Sequence, residues 1–364
     1  MKRAFSAACL LLLGLSNFVQ ADQGNPKIKA IEAIAFGPKG LLLIGGGDRV
    51  VAVETGDTSP STWSVTEVAN IDGLLAGKLG LDAKDIEVRK LAVNPASHKA
   101  YVALQSLKSK DNVILTIDGA GQIAEFPLDN VKYTSYALAM PNASITKVTD
   151  IAWADGKIVA STQATDKFRS RVFTINPDAK DGAPKQISTK TFHTGHNKWE
   201  TQAPLAALTA YLENGKSSVV GTFTCTPIVR YDLEDANNDD QITGRSVVEL
   251  GQGNTPLDMF SYEREGKKYI LICCVTRGNR KSASGFPSAY WVARVDADLL
   301  KETTNINEKA PWRIDVPNKA KAGDRVLVAK EFFGARQMDQ LDATRALAIV
   351  EGKGGLTLRA LPLP

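Results

Sequence analysis

The chain has 364 residues, of which 43% are hydrophobic, and a formal net charge of +4 at pH 7. Its 44 Lys and Arg residues and 40 Asp and Glu residues are scattered, so the basic stripe that nucleic-acid binding requires is absent. A chain of this length can bury a large core, as one repetitive domain or as two ordinary ones.

The first 21 residues are predicted to be a secretory signal peptide. Lys2 and Arg3 form a positive n-region, and Ala7 to Leu15 is an apolar run well short of the ~20 residues that span a bilayer. The sequence ending at Ala21 fits the small-residue cleavage rule, so we expect cleavage there; an uncleaved anchor is the alternative. No later stretch is long and apolar enough to cross a membrane. We therefore expect a periplasmic or secreted protein with a net charge of about +2 after loss of the two n-region cations.

A three-strand pattern recurs along the rest of the chain, and helical periodicity is almost absent. Each copy has an inner strand, a tight turn, a hydrophobic second strand and a more exposed third strand. Clear copies begin at Ile34, Leu91 and Ile151, and weaker ones near Leu208, Phe260 and Leu341. Fourth, outer strands are predicted at 63–68, 123–128, 186–192 and 246–250, and one helix is predicted at 71–81.

This repeat predicts an all-β fold, a single β-propeller formed by residues 22–364. A four-stranded sheet cannot bury both of its faces alone, whereas sheets packed around an axis bury them against each other. Six blades are favoured, and a seventh, using 312–316 and 326–333, is the alternative. The last copy has three strands, so Lys27–Ile31 is predicted to pair with Leu356–Leu361 or its neighbour and to close the ring as an N-terminal strand.

Four motifs carry a resemblance to a known family: Ala92-Val93-Asn94-Pro95, the HTGHNKWET segment at 193–201, the TCTP segment at 224–227 and the PLDM segment at 256–259. On these the chain resembles a family of exported bacterial β-propeller proteins without an assigned activity. Relatives usually have Gly after the second His, where this chain has Asn197, and the Cys273-Cys274 pair is not part of the pattern. The resemblance implies fold and export, and little about chemistry.

Two of the three histidines, His193 and His196, lie close to Glu200 in the sequence. Imidazole is the commonest metal ligand, and a carboxylate completes or orients such a site. Cys225 belongs to the same repeat and is a further candidate ligand. A His₂Glu or His₂Cys set suits copper, zinc or iron, so a transition-metal site is predicted at the rim or mouth of the propeller. The alternative is a polar loop whose histidines hydrogen-bond the backbone or solvent.

A second candidate metal site is the acidic segment with Asp235, Asn237 and Asp239, which alternate like the first ligands of an EF-hand calcium loop. Asp240 stands where Gly is wanted, and Ser246 stands where the bidentate acid belongs. The segment is therefore either a calcium loop or an acidic hairpin between two strands.

Three cysteines remain after cleavage, Cys225, Cys273 and Cys274, and an odd number leaves one without an intramolecular partner. Neighbours on a strand point to opposite faces, so Cys273 and Cys274 cannot both face one partner. A bridge from Cys225 to one of them is favoured over a vicinal disulfide. Buried reduced thiols are the alternative, and a bridge would remove Cys225 from any metal site.

Asp150, Asp258 and Asp339 lie on predicted inner strands of three repeats. Acidic groups that open on a central channel can bind a cation or a polar ligand, so a ligand site is predicted there. The alternative is that these carboxylates cap turns.

Two functions remain open. One is a binding or scaffold protein that holds a periplasmic protein or a small ligand. The other is a metal-dependent enzyme or redox partner that uses His193, His196 and Glu200. The fold alone does not decide between them, because propellers host both classes.

Overall fold

The computed structural model describes residues 21–179, 182–224, 227–233, 241–278, 285–301 and 307–364. The chain is all-β, with its sheets in a propeller-like arrangement. The predicted signal peptide up to residue 20, Cys225 and the predicted calcium ligands Asp235, Asn237 and Asp239 lie outside the described residues. Within the described ranges, no helix combines the length and the apolar character needed to cross a membrane.

The N-terminal part forms two sheets whose strands are interleaved in the sequence. One has the strand order β1-β10-β4-β3-β2 and the other has the order β6-β7-β8-β9, with helix α1 (Ile71–Lys78) before β6. The strands are β1 (Asp22–Gly24), β2 (Ala33–Phe36), β3 (Leu41–Gly46), β4 (Arg49–Glu54), β5 (Glu67–Val68), β6 (Ile86–Val93), β7 (Ala100–Ser106), β8 (Asn112–Ile117), β9 (Ile123–Glu125) and β10 (Val131–Ala137).

The middle part forms one sheet of two four-stranded halves, β11 to β14 and β16 to β19. The halves are joined by parallel pairing of β14 with β19, in which Ser188 lies opposite Gln241 and Thr191 opposite Gly244. The strands are β11 (Ile145–Ala154), β12 (Lys157–Ala164), β13 (Ser170–Ile175), β14 (Lys185–His193), β15 (Lys198–Trp199), β16 (Leu205–Glu213), β17 (Lys216–Phe223), β18 (Pro227–Asp232) and β19 (Gln241–Glu249).

The C-terminal part forms two further four-stranded sheets, of which one is completed by β5 from the N-terminal part. Their orders are β20-β21-β22-β23 and β24-β25-β26-β5. The strands are β20 (Asn254–Arg264), β21 (Lys267–Thr276), β22 (Tyr290–Asp296), β23 (Val326–Val328), β24 (Ala335–Gln340), β25 (Arg345–Gly352) and β26 (Gly355–Pro362). Short 3-10 helices lie at Pro38–Gly40, Ala83–Asp85, Ala297–Leu300, Gly323–Arg325 and Lys330–Phe332.

These strands group into six units, which are numbered in the order in which their first strands occur in the sequence. Unit 1 contains β2, β3, β4 and β10; unit 2 contains β6 to β9; units 3 and 4 are the halves β11–β14 and β16–β19; unit 5 contains β20 to β23; unit 6 contains β24 to β26 and β5. The first strands contact one another in the cyclic order β6, β2, β11, β16, β20, β24. Units 1 and 2 therefore exchange places relative to their order in the sequence.

The hydrophobic core lies between neighbouring units and confirms this order. Leu115 of unit 2 shares a buried cluster with Leu347 of unit 6, whereas Tyr101 of unit 2 shares another with Leu42 of unit 1. Further clusters join units 1 and 3, 3 and 4, 4 and 5, and 5 and 6. Alternate side chains of a strand thus enter two different clusters, as strand geometry requires.

The predicted closing strand at Lys27–Ile31 is wrong. Leu358 and Arg359 of β26 pair instead with Val68 and Glu67 of β5. Residues 25–32 are not a strand, because Lys27 adopts a left-handed φ of 50° directly after Pro26. Ile31 is buried between units 1 and 2, where its N–H donates to Asn112 Oδ1 at 3.3 Å.

The predicted outer strand at 63–68 also belongs to a different unit from the one expected. It contributes β5 to unit 6, and unit 1 takes β10 as its fourth strand, which in turn pairs with β1. The outer strands expected at 123–128, 186–192 and 246–250 overlap β9, β14 and β19, and the predicted helix overlaps α1. Of the segments considered for a seventh blade, 326–328 forms β23 of unit 5, and Trp312 bridges to Glu249.

The segment that leads from β4 to β5 crosses unit 2 and is fixed there by Asp57. The Asp57 carboxylate accepts hydrogen bonds from Ser97 Oγ (2.6 Å), Tyr101 OH (3.1 Å) and Asn94 Nδ2 (3.1 Å), and it forms an ion pair with Lys99 Nζ at 3.0 Å. Asn94 of the AVNP motif therefore has a structural role, since it fastens the crossing segment to the turn after β6.

Candidate functional site: a histidine and carboxylate cluster at the junction of units 3 and 4

The cluster is built on a tight reversal of the chain after β14. His193 is the last residue of β14, and β15 folds back on it so that His193 lies opposite Lys198. His196 N donates to His193 O at 3.1 Å within the turn. Asn197 has a φ of 52°, a left-handed conformation that Gly and Asn adopt most readily. Asn197 can therefore replace the Gly expected at this place without changing the turn.

The turn brings the three predicted ligands together. One candidate ligand atom from each of His193, His196 and Glu200 lies within 4.8 Å of the other two. The two imidazole rings have centroids 4.0 Å apart and planes inclined at 43°. His193 Nδ1 is 3.5 Å from Glu200 Oε2. The three groups therefore surround one point, as the sequence predicted.

His193 is buried and incompletely satisfied. Its side chain is 2% exposed, and its Nδ1 atom has no hydrogen-bond partner. At 3.5 Å the approach to Glu200 is too long for a good N–H···O bond. A buried polar atom without a partner is uncommon and calls for an explanation, of which an ion is one.

Glu200 is held as an ionised carboxylate. Burial raises its pKa, but the neighbouring His193 ring and the N–H groups of Ala203 and Gln202 outweigh burial and lower the pKa to about 2. Those two N–H groups both donate to Oε1 at 2.9 Å. Oε2 is thereby left to face the imidazoles.

His196 is exposed and its pKa is lowered, first by desolvation and then by His193 and Lys198. A neutral imidazole is the form that binds metals. Beside it lies a cavity of about 340 Å³ lined by His196, Lys198, Trp199, Glu200, Thr201, Gln202, Ala203 and Thr224. Thr224 is the residue before Cys225, so the chain reaches this cavity just before it leaves the described residues.

Glu249 joins the cluster and was missed by the sequence analysis. It ends β19 and is 1% exposed, with Oε1 3.7 Å from His193 Nε2 and 3.1 Å from Gly195 N, which donates to it. Burial raises the pKa of Glu249 to about 7, although His193 and Gly195 oppose the change. No spacing signal relates Glu249 to His193, because the two belong to different units and meet only through the β14–β19 pairing.

Cys273 and Cys274 are buried free thiols. Cys273 belongs to the cluster between units 5 and 6 and Cys274 to the cluster between units 4 and 5, so the two point to opposite faces as expected. Neither the vicinal disulfide nor a bridge from either thiol is formed, and the alternative of buried reduced thiols holds for Cys273 and Cys274. Cys225 itself lies outside the described residues.

The three aspartates of the inner strands each bind the backbone of another unit. Asp150 Oδ2 accepts from Leu208 N at 2.9 Å, and Asp258 Oδ2 accepts from Met338 N at 3.1 Å. Asp339 Oδ2 accepts from Val93 N at 2.7 Å. These contacts join units 3 and 4, 5 and 6, and 6 and 2. The carboxylates therefore stabilise contacts between units, and their predicted role in ligand binding stays a prediction.

Lys90 is the buried cation beside these aspartates, and its role was not predicted from the sequence. Its Nζ lies 3.6 Å from Asp150 Oδ1 and 3.7 Å from Asp258 Oδ1, and it donates to Leu257 O at 3.0 Å. Burial lowers the pKa of Lys90, but Asp150 and Asp258 outweigh it and raise the pKa. The sequence feature that could have identified it is its position directly before the apolar run that begins at Leu91.

Comparisons with known proteins give a likeness of fold alone. No protein-family model matches the chain, and no curated protein matches it. Similar solved structures include an exo-1,5-α-L-arabinanase from a bovine ruminal metagenomic library, with 12% identity over 75% of this chain and 92% of that one and a TM-score of 0.38. The extracellular domains 1–2 of Drosophila semaphorin 1b match at 10% identity over 96% of this chain and 87% of that one, with a TM-score of 0.38. The plexin A4 extracellular region matches at 8% identity over 95% of this chain and 40% of that one, with a TM-score of 0.43.

Proposed function

We propose that this chain is an exported six-bladed β-propeller that acts as a binding or scaffold protein and carries a transition-metal ion at His193, His196 and Glu200. The six blades are units 1 to 6, and their ring is closed by β5. The six strand groups and the shared cores between neighbours support this count. The N-terminal charge and apolar pattern supports export to the periplasm or the exterior, as the resemblance to exported bacterial propellers also does.

One observation carries the metal proposal. The buried Nδ1 of His193 has no partner, and it faces an ionised carboxylate beside a second, neutral imidazole. Two imidazoles and one carboxylate are a common donor set for zinc and for iron, and imidazole also suits copper. Such an ion would satisfy the unpaired nitrogen and would balance the charge of Glu200.

Metal analysis of protein exported to the periplasm without a histidine tag tests the proposal. We expect about one equivalent of zinc, copper or iron, and its loss in the His196→Asn variant, whose exposed side chain can change without disturbing the core. His98→Asn is the matched control, because it removes the chain's other histidine in unit 2. Retention of the metal by a His193→Asn/His196→Asn double variant would contradict the assignment.

A metal-dependent enzyme or redox partner is the second candidate function. The 340 Å³ cavity beside exposed His196 favours it, since catalytic metal sites keep a position open to water or substrate. Protein loaded with Co²⁺ tests this reading. A change in its visible spectrum on addition of azide supports an open position, whereas an unchanged spectrum supports a closed, structural site.

Export has its own test. N-terminal sequencing of the periplasmic fraction should begin at Asp22, directly after the proposed cleavage site. The calcium loop at Asp235, Asn237 and Asp239 also stays a proposal, and the same elemental analysis reports on it.

A further inference from the structure

One cavity among the described residues lies at one mouth of the central channel. It has a volume of about 770 Å³, within the range of small-molecule sites, and it is lined by residues of units 2 to 6 and by Glu32, which directly precedes β2 of unit 1. Lys90 lies at its inner end. Asp150, Asp258 and Asp339 line a second cavity of about 580 Å³. Lys90 and the aspartates therefore lie between the two cavities, with Lys90 lining the first and the three carboxylates lining the second.

Cationic side chains from four units enter the larger cavity: Arg89, Lys147, Arg277 and Arg336. Arg89 is paired with Glu87 at 2.9 Å. Within the part of the chain that the structure describes, Lys147, Arg277 and Arg336 form no ion pair. Arg336 is held at the wall by the Tyr290 ring, with its Cζ 5.1 Å from the ring centroid.

Four acidic residues line the same wall, of which Glu87 pairs with Arg89. Glu32 Oε2 accepts from Gly47 N and Val148 N, both at 3.0 Å. Asp72 Oδ1 accepts from Leu356 N at 2.9 Å. Glu351 is exposed at the wall. Lys147 faces the Glu32 carboxylate from beyond ion-pair distance. Besides Lys90, the mouth therefore carries four cationic and four acidic side chains, and Lys147, Arg277 and Arg336 are the cations for which the described part of the chain supplies no ion-pair partner.

Two buried polar atoms of the wall also lack partners. Gln337 Oε1 and Arg89 Nε each have no hydrogen-bond partner. A buried N–H needs an acceptor, which an anion supplies to Arg89 Nε, whereas Gln337 Oε1 needs a donor and therefore does not argue for an anion.

We infer that this mouth binds a small multivalent anion, through Arg277 and Arg336 from neighbouring units, with Lys147 opposite. Arginine presents a planar fork of donors that matches carboxylate and phosphate oxygens. The anionic groups would take the unpaired guanidinium donors, and a cavity of this size holds a ligand the size of a tricarboxylate or a sugar phosphate. This site is separate from the histidine cluster and does not depend on a metal.

Calorimetric titration with tricarballylate and with inorganic phosphate tests the inference and separates carboxylate from phosphate ligands. Protein carrying His193→Asn and cleared of metal with EDTA is used, so that chelation at the histidine cluster cannot imitate binding. The neutral triamide of tricarballylate should not bind. Failure of the metal proposal leaves this result unaffected.

We expect at least one of the two anions to bind, and Arg277→Gln and Arg336→Gln each to weaken it about tenfold or more, as loss of a charge-assisted hydrogen bond does. Lys157→Gln is the matched control. It removes the same charge, and Lys157 begins β12, at the end of the β11–β12 hairpin that lies farthest from Lys147. Unchanged thermal unfolding of each variant shows that the fold is kept. The inference is overturned if neither anion binds with a dissociation constant below about 1 mM in low salt. It is also overturned if both arginine variants bind as tightly as the parent protein.

Discussion

The Nε2 atom of His193 lies 3.7 Å from Oε1 of Glu249, while Nδ1 of the same ring faces Glu200 at 3.5 Å. The imidazole is thus placed between a carboxylate of its own turn and a carboxylate at the end of the adjacent outer strand. Both approaches are longer than a good N–H···O bond; with a metal ion at Nδ1, a closer contact of Nε2 with Glu249 would give the arrangement in which a carboxylate orients a metal-binding histidine.

Glu249→Gln is therefore predicted to weaken metal binding without removing a ligand. The amide keeps the oxygen that accepts from Gly195 N but replaces the carboxylate that faces Nε2 of His193. We expect the metal dissociation constant to rise about 10- to 100-fold, as loss of such an outer partner does. Competition titration with a chromophoric chelator measures it, with exposed Glu263→Gln as the control. Equal affinities for Glu249→Gln and the parent protein would show that Glu249 has no orienting role.

Lys90→Met is predicted to destabilise the whole ring. It leaves the buried carboxylates of Asp150 and Asp258 without their shared cation, and loss of one partner of a buried ion pair costs about 3–5 kcal/mol. Adding Asp150→Asn and Asp258→Asn should recover much of the loss, because asparagine oxygens can still accept the backbone N–H groups. Urea unfolding gives both values. A triple variant less stable than Lys90→Met would refute the charge-compensation argument.

Asp339 is predicted to make stability fall with rising pH. Burial, with the charges of Asp258 and Asp150, raises its pKa to about 7 from 3.8. The folded state therefore holds a proton that the unfolded state releases near pH 4. The stabilisation that the protonated Asp339 gives to the folded state is complete below about pH 4. It declines as pH rises and is lost above about pH 7.

The free energy of unfolding, compared between the parent and Asp339→Asn, isolates this effect. Between pH 5 and pH 8 the parent should lose about 1–2 kcal/mol relative to the variant, a value reduced for the partial accessibility of the carboxylate. The free energy of unfolding of the exposed-site variant Asp111→Asn should change with pH as that of the parent does. If Asp339→Asn also follows the parent, the Asp339 carboxylate is already ionised at pH 5.

Asp57→Ala is predicted to cost about 3 kcal/mol of stability. It removes the acceptor of Ser97 and Tyr101 and the ion-pair partner of Lys99, and it leaves buried donors unsatisfied. Asp48→Ala is the matched control at a turn where the carboxylate is 68% exposed, and it should change stability by less than about 1 kcal/mol. Equal losses in the two variants would contradict a fastening role for Asp57.

The thiol count gives a further expectation. Since Cys273 and Cys274 are free, exported protein unfolded without reductant should react at three thiols per chain, the third being Cys225. Folded protein should react slowly at Cys273 and Cys274, because both are buried and burial raises their pKa values. A count of one would restore the bridge to Cys225.

The sequence predicted what is local. Alternation placed the inner and second strands, and the spacing of His193, His196 and Glu200 was enough to predict their convergence, because one turn brings them together. The opposite directions of Cys273 and Cys274 also followed from neighbouring positions on one strand.

The sequence could not predict the features that depend on which units are neighbours. β5 has two residues, and β10 has one buried residue, so neither carries an apolar pattern that identifies its partner strand. Glu249 and Lys90 act through groups in other units, and no spacing within one repeat reveals such contacts. The exchanged places of units 1 and 2 depend on the crossing segment that Asp57 holds.

That exchange delays the completion of two of the six units. Val68 has no ladder partner until Leu358 has been made, and unit 1 lacks its outer strand until the chain has passed through unit 2 and returned at β10. A polypeptide that emerges amino end first must therefore keep an unpaired edge open for almost its entire synthesis. Pairings this distant in sequence form slowly and leave such edges exposed to association with other chains. The interleaving thus makes the pairing of β5 with β26 depend on segments about 290 residues apart, so a chain truncated before β26 leaves β5 without its partner strand.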